Sequence, residues 1–381
     1  VAIATKNREK YCIAAIQSIL DYGDVRIEIA IADNSATTLV KDYVAKTQSQ
    51  QIKYVYDGSE ISSNANFNSA VQLTTGDYVI VIGDDDSILP DAIETAVWAK
   101  ANQVDSICSR DTVIYYWPGA VQQYPNGHVT IPIGSDKKSQ IDLKQELDRL
   151  LKNGLQHYLL YPLPKTYHGI VKKEVLNKIK ELTGHFYGGL SPDTYSCIAV
   201  SCVAENHYII DKPLSIAGVC ATSTTADNFS GKHSGTIENI PHLKNRSNYV
   251  WSVKVPKYYS VNTVWAESGL KALEELGEEE LLKKFNIHQL FAQGWVNNYK
   301  FIPSIIKVET EKTRIENHVS EFSYFFQMTK SFGKIILKKG CPIGHPFLLR
   351  YKTCIALLLS ASTRLVHSTH LGSGFVLILA V

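Results

Sequence analysis

Two common phosphate-binding signatures are missing from this 381-residue sequence: no GxGxxG follows the first apolar run, and no GxxxxGK[ST] occurs. A dinucleotide fingerprint and a Walker phosphate loop are thereby excluded. The seven cysteines, at positions 12, 108, 197, 202, 220, 341 and 354, include no CxxC pair. That scatter argues against a zinc site or a disulfide framework and for a reducing compartment. No apolar stretch approaches the ~18 residues that span a bilayer. No secretory leader opens the sequence, whose first residue already lies in an apolar strand pattern. The expectation is a cytoplasmic protein, soluble or associated with the inner face of the cell membrane. The near-neutral total of +2 gives no basic footprint for nucleic acid. Acidic residues also run out, since Phe322 to Val381 hold seven basic side chains and no Asp or Glu. The first 321 residues therefore carry 32 basic against 37 acidic side chains, a net of −5. The basic tail also contains the short apolar runs CIALLLSA and GFVLILAV. It reads either as a helical subdomain with a solvated face or as a peripheral contact with an anionic membrane.

What is present is a regular alternation over the first hundred residues. VAIAT reads as a strand, and apolar positions recur at helical spacing from Glu9 through Ile13, Ile16, Ile19 and Leu20. IEIAIADNS is a second strand, Leu39 to Val44 a helix, IKYVYD a third strand, and Asn66 to Leu73 a helix. The run YVIVI that follows has no polar alternation, as befits a central strand covered on both faces. The order β-α-β-α-β-α-β predicts a doubly wound, mostly parallel sheet flanked by helices. In such sheets ligands bind beyond the carboxyl ends of the strands. Three polar clusters fall there: TKNR (5–8), ADNS (32–35) and GDDDS (83–87).

Three adjacent carboxylates, Asp84, Asp85 and Asp86, repel one another and call for a cation. With the usual phosphate loops absent, Mg²⁺ or Mn²⁺ shared between these carboxylates and a diphosphate is the natural substitute. The plainer alternative is an acidic strand-to-helix turn in which Asp86 or Ser87 caps a helix and Pro90 occupies its first turn.

The stretch VAIATKNR…IADNS…NSAVQLTTGDYVIVIGDDDSILPDAI resembles the nucleotide-binding half of the family 2 glycosyltransferases. These have the GT-A fold, carry a DXD motif and use nucleotide-diphosphate sugars. The likeness is dense over residues 1–95, thinner over 96–220 and absent beyond; Ala4 stands where the family's opening motif has proline. It implies that Thr5, Asn7 and Arg8 border the nucleoside, that Asp33 bonds the base and that Asp84 approaches the ribose. It further implies that Asp85 or Asp86 holds the metal and that Asn64 and Asn68 line the nucleotide pocket. The plain reading of the strand-end asparagines and serines is turn chemistry.

Inverting members place a catalytic base in an acidic pair at a helix start, and YGGLSPDTYSCIAV (187–200) is the counterpart here. Asp193 takes the second position of the pair, while Pro192 stands where the first acid would be. Ser191, Pro192 and Asp193 read equally well as the N-cap and first residues of a helix. By analogy with GT-A enzymes that recruit a late-loop histidine, His233 is a candidate third metal ligand and Lys232 a diphosphate contact. His168 is a weaker candidate on the acceptor side. The aromatics Tyr115, Tyr116, Trp117, Tyr124, Tyr158 and Tyr161 suit either sugar stacking or core filling.

The resemblance thus implies a GT-A domain over 1–222, with a nucleotide-sugar half (1–95) and an acceptor half (96–222). A mainly helical region follows over 223–381. The implied partners are a nucleotide-diphosphate sugar and a saccharide or lipid-linked saccharide acceptor, in bacterial surface polysaccharide synthesis, with self-association a further expectation. Two rival classes are a sugar-phosphate nucleotidyltransferase, which should carry a glycine-rich loop that ATKNREKY lacks, and a non-catalytic carbohydrate-binding protein.

Overall fold

A computed structural model describes residues 1–222, 234–244, 246 and 248–339. Lys232, His233 and the basic tail beyond 339 lie outside the described residues. The expected alternation is present: β1 (Ala2–Thr5), α1 (Glu9–Leu20), β2 (Ile29–Asp33), α2 (Leu39–Thr47), β3 (Ile52–Tyr56), α3 (Ser63–Leu73) and β4 (Tyr78–Ile82). The chain continues through β5 (Ser87–Ile88), α4 (Pro90–Ala101), β6 (Ser106–Ser109), β7 (Val113–Tyr116), β8 (His128–Thr130), β9 (Lys138–Ile141) and α5 (Leu143–Lys152). Then come β10 (Gly169–Lys172), α6 (Lys173–Thr183), α7 (Pro192–Val203), β11 (His207–Ile210) and β12 (Ser215–Val219).

The main sheet has the order β3-β2-β1-β4-β10-β6-β11-β9. β1 lies parallel to both β2 and β4, while β10 enters antiparallel between β4 and β6. Side chains alternate across it as a two-residue period requires. Ala2, Ala32, Val79, Val81 and Val171 face one core, with helices α3, α5, α6 and α7 laid against them. Ile3, Ile31, Ile80, Ile82, Ile107 and Ile170 face the other, covered by α1, α2 and α4. This split is the physical content of the doubly wound α/β class expected from the sequence.

The acidic turn does not cap α4. Leu89 is the N-cap residue without a side-chain bond, and Pro90 is the first helical residue. Ser87 and Ile88 are instead drawn into β5, which pairs antiparallel with β12 at the edge of a smaller sheet, β5-β12-β7-β8. The backbone after the triplet is therefore committed to a strand, which leaves the carboxylates free of capping.

A short strand pair, β13 (Gly235–Thr236) with β14 (Tyr258–Tyr259), precedes a helical region. It comprises α8 (Val261–Glu275), α9 (Glu279–Lys284), α10 (Ile287–Asn298), α11 (Pro303–Glu316) and α12 (Glu321–Lys339). Gly277, with φ +71°, ends the turn after α8 in the left-handed conformation that suits glycine. α8 packs on α7, and Leu270 and Leu273 join Ile198 and Val200 in one core. No helix among the described residues is long and apolar enough to cross a membrane.

Candidate functional site

The polar clusters converge at the carboxyl edge of the β1, β2 and β4 strands. Thr5 and Asp33 are register partners at the ends of β1 and β2. Thr5 donates its hydroxyl to Asp84 Oδ2 at 2.8 Å. Arg8, the residue before α1, reaches Asp84 at 3.1 Å and Asp85 at 2.7 Å, and also donates to Cys220 Sγ at 2.9 Å. Part of the cation that the triplet demands is thus supplied by the chain itself. Burial, against the attraction of Arg8, pushes Asp84 up to about 6, and burial together with the charge of Asp86 raises Asp85.

Asp86 is a different object. Its Oδ1 accepts the Gly218 amide at 2.7 Å, and its Oδ2 accepts the Gly83 amide at 2.6 Å and the Tyr167 hydroxyl at 2.7 Å. His168 Nε2 stands 3.2 Å from the same Oδ2. Burial opposes its ionisation, yet His168 and these hydrogen bonds hold Asp86 below the usual carboxylate range. The arrangement needs two glycines. A Cβ on Gly83 would meet Tyr167 Oη and Asp86 Oδ2, and one on Gly218 would run into the Asp85 carbonyl. His168 adopts φ +63°, a left-handed conformation rare for its type, and its Nδ1 is fixed by the Ser215 hydroxyl at 2.9 Å.

Asp86 concentrates its contacts on Oδ2, which meets the Gly83 amide, the Tyr167 hydroxyl and His168, while Oδ1 accepts the single Gly218 amide. Asp84 is divided between Thr5 and Arg8. Asp85 Oδ2 is buried 2.7 Å from the Arg8 guanidinium, the carboxylate also meets the Cys220 thiol, and Arg8 Nε is buried without a partner. Of the three, Asp85 is the carboxylate that a hard cation could share with Arg8 displaced. No group of three or more acidic, His or Cys side chains arranged for a metal occurs among the described residues, so the remaining ligands would have to come from outside that set.

Asp33 is buried and oriented by the Ser35 amide at 2.9 Å and the Tyr54 hydroxyl at 2.8 Å. After burial, the charges of both Asp84 and Asp33 raise the Cys12 thiol, which places the two carboxylates around one residue. Asn7, at φ +56°, staples two loops: its amide donates to Ser35 Oγ at 2.8 Å and its Oδ1 accepts from Ala36 at 2.8 Å. Asn64 and Asn68 point across to the segment that precedes α7. Asn64 Nδ2 donates to the Gly188 carbonyl at 2.6 Å; Asn68 Nδ2 donates to the Tyr187 carbonyl at 2.9 Å and its Oδ1 accepts the Phe186 amide at 2.8 Å. Asn66, which sequence reading passed over, is the α3 asparagine that touches the strand ends, through the Thr5 carbonyl at 3.0 Å.

Ser191 caps α7 by accepting the Thr194 amide, Pro192 follows, and Asp193 sits in the first turn, as the sequence pattern indicates. Burial, moderated by His168 and reinforced by the charge of Asp86, pushes Asp193 up to about 6. Asp193 thus feels the charge of Asp86, and His168 acts on both. The segment ahead of Asp193 is also held from α8, where Ser268 Oγ accepts the Leu190 and Ser191 amides at 3.1 and 2.8 Å. Arg246 donates to the Gly189 carbonyl. Besides Asn66, sequence reasoning missed Tyr167, Cys220, Arg246 and Ser268, none of which lies in a motif. Trp117, one of the aromatics singled out in the sequence, donates through Nε1 to the Asp85 carbonyl at 3.0 Å and stacks edge-on against Tyr11.

In a doubly wound sheet the carboxyl edge where these acidic side chains gather is where ligands bind. Residues 1–149 match the model of glycosyl transferase family 2. A curated relative is WcaA of Escherichia coli (strain K12), described as a candidate colanic acid biosynthesis glycosyl transferase. It is 26% identical over 135 residues, 33% of this chain and 48% of WcaA. The match therefore spans about half the length of that relative. Among solved structures, residues 1–349 of S. aureus TarS in complex with UDP-GlcNAc align at 13% identity and TM-score 0.47, covering 88% of this chain and 79% of that one. The mannosyltransferase PcManGT from Pyrobaculum calidifontis, in complex with GDP-Man and Mn²⁺, aligns at 12% identity and TM-score 0.39, covering 83% and 86%. Likeness at this level transfers nothing to the present chain.

Proposed function

We propose that this protein transfers a sugar from a nucleotide-diphosphate donor to a hydroxyl of a saccharide or lipid-linked saccharide, with inversion at the anomeric carbon. The observation that carries the reading is that Asp193 feels the charge of Asp86, with His168 acting on both. In this reading Asp33, with Thr5, Asn7 and Arg8, receives the nucleoside, and Asp84 lies toward the ribose. Asn64 and Asn68 bear on the donor through the segment they hold. Lys232 and His233 remain candidates as diphosphate contact and metal ligand. A divalent ion, Mn²⁺ or Mg²⁺, held by Asp85, would neutralise the departing diphosphate when bound. Asp193 removes the proton from the acceptor hydroxyl. The new carbon–oxygen bond forms as the bond to the diphosphate breaks, and the electron pair leaves with the diphosphate. A carboxylate buried enough to titrate near 6 is a stronger base than an exposed aspartate and remains ionised at neutral pH. A GT-A catalytic unit over residues 1–222, with the described helical region packed behind α7 and peripheral membrane contact through the basic C-terminal region, is part of the same proposal.

The test is incubation of the full chain with Mn²⁺ and a panel of UDP-, GDP- and dTDP-sugars, following release of free sugar by slow hydrolysis. Hydrolysis of at least one donor that is lost in Asp193→Asn supports the reading. Equal hydrolysis by the variant removes Asp193 from the mechanism.

A further inference from the structure

Arg8 is the N-cap residue of α1, yet its side chain makes no capping bond. Its guanidinium lies across the carboxylates instead, 3.1 Å from Asp84 Oδ1 and 2.7 Å from Asp85 Oδ2, with Cys220 Sγ at 2.9 Å and the Tyr11 ring centroid at 5.8 Å. The two carboxylate side chains are 5% and 6% exposed and that of Arg8 24%, so the arginine is the outer partner of a buried pair. Its pairing is also incomplete, since Nε is buried without a partner. An ion pair kept for stability alone needs every donor satisfied to offset its desolvation.

With Asp84 and Asp85 ionised, the three side chains carry one negative charge in excess. A divalent ion taken up alone would reverse that sign and set two cations on one carboxylate. The diphosphate of a sugar donor taken up alone would deepen the excess, whereas the two together leave it as it was. Only in the last case does a displaced guanidinium find a new partner, because its planar fork matches phosphate oxygens as well as carboxylate ones.

We propose that Arg8 is the resident counter-ion of the triplet and, in turn, a diphosphate contact: its guanidinium leaves Asp85 as a divalent ion is taken up and passes to the phosphates of the donor. Metal and nucleoside diphosphate therefore bind as a coupled pair. This inference rests on the sugar-transfer reading above and adds the regulation of metal uptake to it.

Two measurements on the full chain test it. Mn²⁺ binding is read from the loss of its free electron paramagnetic resonance signal, without nucleotide and with saturating UDP, GDP or dTDP, in wild type and Arg8→Gln. The variant should bind Mn²⁺ alone about 10-fold more tightly than wild type, the scale of one charge-assisted hydrogen bond removed from the competition. In wild type at least one nucleotide should tighten Mn²⁺ about 10-fold or more, and in the variant that factor should shrink. The second measurement needs no substitution: phenylglyoxal modification of Arg8 in wild type, followed by peptide mass spectrometry, should quicken with Mn²⁺ alone and slow again when the nucleotide is added. Equal Mn²⁺ affinity in wild type and folded Arg8→Gln overturns the inference, and so does an Arg8 whose modification is indifferent to bound Mn²⁺, a result that decides even where the variant does not fold. A nucleotide that binds while Arg8 stays on the carboxylates overturns this inference alone. A wild type that binds no nucleotide with Mn²⁺ overturns the transfer reading and this inference with it.

Discussion

Neighbouring carboxylates in the triplet should respond oppositely to the same substitution. In Asp86→Asn the amide oxygen can still face Tyr167, Gly83 and His168, which places the NH₂ against the Gly218 amide that Oδ1 now accepts at 2.7 Å. A buried amide left unpaired costs about 1–3 kcal/mol. The three remaining bonds lose their charge assistance, roughly half their strength. Relief of a buried charge offsets part of this loss. The net expectation is a destabilisation of about 3 kcal/mol, a fall in melting temperature of roughly 4 °C for a chain of this size. Asp85→Asn gives up an ion pair with a quarter-exposed Arg8 and relieves repulsion with Asp84 and Asp86. Its stability should stay within about 1 kcal/mol of wild type. Donor turnover should show the reverse order, with Asp85→Asn inactive and Asp86→Asn retaining activity below its melting range. Urea denaturation and differential scanning calorimetry measure the first pair of numbers, and sugar release the second. A stable Asp86→Asn with an unfolded Asp85→Asn would refute the division of labour.

The pH profile provides a further check. Because burial raises Asp193 to about 6, its base form is lost as pH falls through that value, and kcat/KM should drop tenfold per unit below it. A profile flat down to pH 5 contradicts the assignment. Asn68→Ala removes the anchors of the Phe186 and Tyr187 amides and of the Tyr187 carbonyl. It should cost about 2 kcal/mol and lower kcat more than it raises the donor KM, since it loosens the segment carrying Asp193. A variant in which only the donor KM rises would identify Asn68 as a nucleotide contact instead. Gly218→Ala places a methyl into the Asp85 carbonyl and should yield either no folded protein or one destabilised by about 3 kcal/mol or more, read by the same denaturation curves.

The first hundred residues were legible because their apolar periodicity is set by burial on both faces of a parallel sheet. Ile80 and Ile82 against Val79 and Val81 write the two cores directly into YVIVI. The start of α7 was equally plain, since Ser191, Pro192 and Asp193 satisfy a helix N-terminus by local chemistry. The antiparallel β10 was not, because GIVK offers only four residues and its place between β4 and β6 is set by long-range pairing. The triplet told that a cation was needed but not which one. Arg8 is 76 positions from Asp84 and His168 is 82 from Asp86, and nothing local announces either pairing. The same holds for Asn64 and Asn68, whose partners lie more than a hundred positions away. Such contacts follow from the fold and carry no periodicity of their own.

The central claim is that the strand-end carboxylates hold a sugar donor's diphosphate through a divalent ion at Asp85. Thermal stabilisation by nucleotide-sugars, with and without Mn²⁺, in wild type and Asp85→Asn, tests it most directly. The account predicts that at least one nucleotide-sugar raises the wild-type melting temperature only when Mn²⁺ is present, and that Asp85→Asn shows no rise. An equal rise in the variant, or a rise indifferent to metal, contradicts it.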